Sequence, residues 1–226
     1  MDATPQLLVM AEISLHGFDA MWTLVKTPEV APEGEVFHVL SSLALAARLN
    51  FVSLQCSYHE DDQPRAALAC RNLLELAVFT KFVLKSRLHL VEFASDRLLD
   101  GLDIAQKLKA IELELTPEAA SSILDASIAE FEKQMANEGV TRPKFLRTDD
   151  IAKVVGMESD YANLNKVCSK FVHPTSWSLL TSDRSAERFP FACKLFLSQG
   201  VLLFATIYAA MKAHLVRPRL AYEGEA

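Results

Sequence analysis

A chain of 226 residues, half of them apolar, is long enough to bury a hydrophobic core. Seven glycines are few for that length, which disfavours a turn-rich β fold and favours long helices. The formal net charge of −6 argues against a bulk cationic coat for nucleic acid. The expected fold is an all-α, single-domain helical bundle of about seven or eight helices, with residues 216–226 as a flexible tail.

Taken in order, Thr4 can cap a first helix over residues 4–24, with Pro5 in its first turn. Leu7, Leu8, Ala11, Leu15, Phe18 and Trp22 give that helix an apolar face. The start, MDATPQLLVM, lacks the basic region of a secretory signal, so a cytoplasmic address is expected by exclusion. A second helix is expected from about Glu35 to Tyr58, closed by the acidic turn HEDDQP. Residues 65–85, RAALACRNLLELAVFTKFVLK, are apolar in nearly every direction, which marks a central helix. Arg71 and Glu75 lie four apart on one side of it. An amphipathic helix follows over about 87–114. Thr116-Pro117-Glu118 supplies a cap, a first-turn proline and an acid for a helix to Asn137, with Gly139 just past its end.

Beyond the basic stretch VTRPKFLR, a short helix is expected from Thr148 or Asp149 to about Val155. The next opens at Ser159 or Asp160. The last runs from about Phe191 to Leu215 and holds 17 residues without a charge, LFLSQGVLLFATIYAAM. A bilayer span takes ~20 such residues, and Ser198, Gln199, Gly200 and Thr206 interrupt this one. It reads as a buried core helix, with no membrane as partner.

The densest chemistry lies in DYANLNKVCSKFVHPTSW, Asp160 to Trp177. Tyr161, Leu164, Cys168 and Phe171 have the spacing of a core-facing helical stripe. His173 follows Ser169 by four residues and Asn165 by eight, so the three polar groups can share one flank. Pro174 disfavours helical dihedrals at His173. The helix should end there, with the imidazole at a C-terminus that favours the protonated ring. The candidate catalytic residues are His173, Arg71 and Glu75, and the candidate ligand-binding residues are Lys166, Tyr161, Asn165 and Ser169. A buried ion pair needs further hydrogen bonds to offset desolvation. Arg71, Glu75 and His173 are therefore expected to meet in one polar cluster. In that cluster the imidazole donates to Glu75, and Tyr161 and Ser169 supply hydroxyls.

Four cysteines, at 56, 70, 168 and 193, show no paired spacing and sit among apolar residues, so reduced, buried thiols are the default. Glu35 and His38 form one forward Glu-x-x-His copy where two-iron bundles use two, so neither a metal site nor a cofactor is expected. Residues 64–110 carry eight Lys/Arg against five Asp/Glu, and residues 141–226 carry twelve against eight. These two basic segments hold the candidate site, which leaves room for an anionic ligand despite the acidic total.

RNLLE on the central helix, with the later Y-x-x-L and VHP segment, resembles a bacterial helical family of unknown function over roughly residues 36–215. That family in turn is distantly similar to HEPN domains, the nucleotide-binding helical bundles of higher eukaryotes and prokaryotes. The resemblance implies a protein that binds RNA or nucleotide through its Arg/Glu/His cluster. HEPN ribonucleases resemble one another in an Arg followed, after four to six residues, by a His. Here Lys170 and Lys166 are the nearest cations before His173. A lysine is a point charge and not a bidentate phosphate clamp. A catalytic His173 would need Lys166 or Arg71 to hold the phosphate. The rival expectation is a catalytically inert helical interaction module, acting with a protein partner or as a homodimer.

Overall fold

The computed structural model of the chain describes residues 4–25, 34–112, 118–140, 146–173 and 189–216. Among these residues there are eight helices and no strand, so the protein is all-α. The first four are α1 (Thr4–Val25), α2 (Gly34–His59), α3 (Gln63–Val83) and α4 (Arg87–Glu112). They are followed by α5 (Glu118–Asn137), α6 (Thr148–Val154), α7 (Glu158–Val172) and α8 (Ala192–Val216).

Local chemistry explains where these helices stop. Gly139 and Gly156 take φ of 66° and 70°, just past α5 and α6. At each end two carbonyls are satisfied together. Val140 N–H donates to Met135 and Gly139 N–H to Ala136, and Met157 and Gly156 repeat the pattern on Ala152 and Lys153. α3 opens two residues earlier than its sequence implies. The Asp62 carboxylate accepts the Arg65 N–H at 3.1 Å, and Pro64 sits in the first turn instead of closing the turn before it. α7 opens at Glu158, with Met157 as a cap that makes no side-chain bond. Thr116 and Pro117, expected to start α5, lie outside the described residues, as do Pro174 and the tail.

The chain forms two compact units, residues 86–147 and the remainder. In residues 86–147, α4 packs against α5. Phe131 lies so close to Gly101 that a Cβ there would fall 2.6 Å from the ring. Arg97 pairs with Glu138 at 2.9 Å, and the buried Asp96 carboxylate accepts the Leu146 N–H at 3.0 Å.

In the other unit α3 is the centre, packed against α2, α6, α7 and α8. Twelve of its residues are buried, from Gln63 to Val83, as its all-round apolar sequence implies. α8 also packs on α1 and α2. Phe204 of α8 meets Phe18 and Phe51 there. A side chain at Gly200 would overlap Leu54 and press on Leu73, so this glycine lets α8 close against α2 and α3. By length and composition alone α2 and α8 could each cross a membrane. Half of the α8 window is nonetheless buried inside the protein.

Candidate functional site

α7 lies against α3, and Arg71, Glu75 and His173 are linked along that seam. Arg71 and Glu75, one turn apart on α3, pair through Nε and Oε1 at 3.3 Å. The same guanidinium brings Nη1 to 3.4 Å from Nε2 of His173 at the end of α7. Arg71 therefore links Glu75 to His173, where the sequence led us to expect the imidazole donating to Glu75. Arginine is only a donor, so as a hydrogen bond this contact uses the guanidinium N–H as the donor. His173 has the extended backbone of a residue before proline, φ −92° and ψ 144°. Its N–H donates to the Ser169 carbonyl at 3.1 Å.

Burial changes the energetics expected of the pair. The side chains of Arg71 and Glu75 are each 27% exposed, and His173 is exposed. Their flank of α3 lies at the edge of the helix packing, so both charges keep part of their hydration.

Tyr161, half-buried on α7, completes the cluster. Burial and then the Glu75 carboxylate push its phenol up, with Asp149 adding to them. A hydrogen bond with Thr148 and the Arg71 charge oppose that shift. At neutral pH Tyr161 is an un-ionised hydroxyl near both charges, tied to α6 through Thr148. Asn165 is half-buried, and its Oδ1 is buried without a hydrogen-bond partner. Ser169 is half-buried. Lys166 is exposed, and among the described residues no ion pair joins it to the cluster.

Two of the thiols expected to be buried lie beneath this seam, and their pairing is what the sequence reading missed. Cys70 and Cys168 are both fully buried. A hydrogen bond that Cys70 donates to Cys168, and then burial, push the Cys70 thiol far up. The signal was present, since Cys70 adjoins Arg71 and Cys168 belongs to the core stripe of α7. Cys193 is pushed up to about 12 by burial and by its hydrogen bond to Asp61. Cys56 departs from the expectation of burial. It lies on the outward face of α2 with Leu45 and Leu49, so apolar neighbours in sequence did not mean a buried position. Thiolates are the reactive form. A disulfide reagent at pH 8 should therefore titrate one thiol rapidly in the native protein and the other three only on unfolding. Rapid loss of a second thiol would contradict these burial assignments.

No match was found among curated proteins or among solved structures. One family model matches residues 37–187, a span that contains α3, α7 and every member of the cluster. The chain belongs to that family, the Family of unknown function (DUF5677).

Proposed function

We propose that this is a HEPN-like cytoplasmic protein that binds the phosphate of an RNA or nucleotide at the Arg71–His173 edge. The supporting observation is the anchored guanidinium. Glu75 holds Nε, and Nη1 lies beside an exposed imidazole. A guanidinium has five N–H donors, so this one keeps donors for an oxyanion. In this reading Arg71 holds the phosphate and His173 carries the proton as general acid or base. The arginine that HEPN ribonucleases place shortly before their histidine comes here from a different helix.

One observation favours a second reading, an inert interaction module. Leu45 and Leu49 are exposed on α2, and Ile104, Leu108 and Ile111 are exposed at helical spacing on α4. Titration with single-stranded RNA separates the two. Each neutralised phosphate on a single strand contributes ~0.7 to the logarithmic salt slope. With two phosphates engaged, raising salt from about 50 to about 200 mM should weaken binding roughly sevenfold. Absence of binding at the lower salt would reject the phosphate reading and leave the interaction module.

A further inference from the structure

We propose that a second copy of this chain covers the outward face of α2, the two α2 helices packing antiparallel about a two-fold axis between Leu49 and Val52, an inference independent of the phosphate reading above. α2 is more apolar than its packing within one copy needs. Its mean hydropathy of 1.4 nearly equals the 1.5 of α8, yet only 33% of its window is buried, against 50% for α8. The inward face is well used. Phe51 stacks on Phe204 of α8, and Leu54 fills the space beside Gly200.

On the opposite side of α2, Ser42, Leu45, Leu49, Val52, Cys56 and His59 follow one another at steps of three, four, three, four and three residues. Alternating steps of three and four are the spacing of a seam between paired helices. Leu45 and Leu49 are 55% and 57% exposed, Cys56 is exposed, and Val52 is half-buried. None of these residues is charged. A helix that lies on a membrane surface carries Lys and Arg along its polar rim. α2 has Arg48 alone, and Asp19 of α1 already holds it through both carboxylate oxygens, at 2.7 and 3.1 Å.

The pattern reads the same in both directions, as a two-fold axis requires when one patch serves both copies. Antiparallel packing sets Leu49 against the partner's Val52, Leu45 against the partner's Cys56, and Ser42 against the partner's His59. The centre is then a run of apolar layers, with cysteine acting as a small hydrophobe. At each end the Ser42 hydroxyl donates or accepts, so it satisfies the facing imidazole in either tautomer. Antiparallel helices also oppose their dipoles favourably. An unrelated partner would leave the symmetry of the spacing without a cause. The area sets the strength. A strip ~39 Å long and ~11 Å wide covers ~430 Å² per copy, about half of the ~800 Å² that each side of a tight interface buries. The dimer is therefore weak, half-formed at micromolar concentration, and dilute protein leaves Cys56 open to thiol reagents.

Sedimentation of the full chain in reducing buffer, from about 1 to about 100 µM, reads the association. The expected result is a shift from monomer to dimer over that range. Leu49→Glu should stay monomeric throughout with an unchanged unfolding midpoint, because its side chain already faces water in the single copy. Mild oxidation with copper phenanthroline at the highest concentration reads the orientation. Leu45→Cys should form a disulfide-linked dimer rapidly, since the introduced thiol meets the partner's Cys56. The unmodified chain should link slowly. Its Cys56 and the partner's Cys56 lie about 16 Å apart along the pair, beyond the reach of a disulfide. A chain that stays monomeric at the highest concentration overturns the proposal, and its flotation with phosphatidylcholine vesicles would then assign the face to a lipid surface. A dimer that survives Leu49→Glu, or rapid linkage of the unmodified chain through Cys56, overturns the antiparallel pairing of α2.

Discussion

Replacing Phe204 with alanine is expected to lower the unfolding free energy by about 3–5 kcal/mol. The ring is fully buried. It stacks on Phe51 at 4.2 Å with an interplanar angle of 6°, and its centroid lies 4.7 Å from that of Phe18. One side chain thus joins α8 to both α1 and α2. Its removal exposes no water-accessible route for relaxation, because Phe18, Phe51, Leu54 and Ile207 are themselves fully buried. The loss combines transfer of the ring, the cavity left behind and about 0.5–1.5 kcal/mol of aromatic pairing per contact. Against a typical total of about 5–15 kcal/mol, this is a large fraction. Urea unfolding of Phe204→Ala beside Leu202→Ala provides the measure. Leu202 is 56% exposed two residues away, and its truncation should stay within about 0.5 kcal/mol. Similar small losses for both would show that the three rings do not form a joint core.

Helices were legible here because their ends are written in local chemistry. Gly139 supplies a backbone conformation that few other residues adopt, and an acid with a following proline marks the start of α3. The central place of α3 was legible too, since a helix apolar on all sides must be covered on nearly all sides. Coverage of one particular flank was not. Helical spacing puts Arg71 and Glu75 on the same side, but it does not say how completely α7 shields them. The same gap explains Cys56, whose apolar neighbours in sequence occupy other faces of α2. Gly200 shows a further limit. In sequence it is a break in an apolar run, whereas in the fold it is the point where Leu54 and Leu73 fill the space of a side chain.

The cluster was legible as a set of residues but not as a wiring. Pro174 and the spacing of α7 could place an imidazole near Arg71 and Glu75. They could not decide that the guanidinium, and not the carboxylate, would face Nε2. That choice depends on a few ångströms of packing between two helices whose contacting residues lie 102 positions apart. Long-range register of this kind follows from the whole core, including Cys70 against Cys168, and no local pattern carries it.

Arg71→Ala is expected to leave the unfolding midpoint almost unchanged while weakening phosphate binding by about ten- to a hundredfold. The two halves have separate causes. If the ion pair were buried, removing one partner would cost ~3–5 kcal/mol. At 27% exposure on each side, water replaces much of what the partner supplied, and the expected cost falls to about 1 kcal/mol or less. Hydrogen bonds to a charged group contribute about 1.5–3 kcal/mol, which sets the scale of the binding loss. Arg71→Lys tests the geometry. An ammonium restores the charge, and with it much of the salt dependence, but it lacks the planar fork that reaches Glu75 and His173 together. Its affinity should therefore stay closer to that of the alanine variant than to the parent. Thermal unfolding and RNA titration of the same three proteins give both readings. A drop in stability of several kcal/mol with unchanged affinity in the folded protein would make Arg71 a strut between α3 and α7, and the phosphate site would have to lie elsewhere.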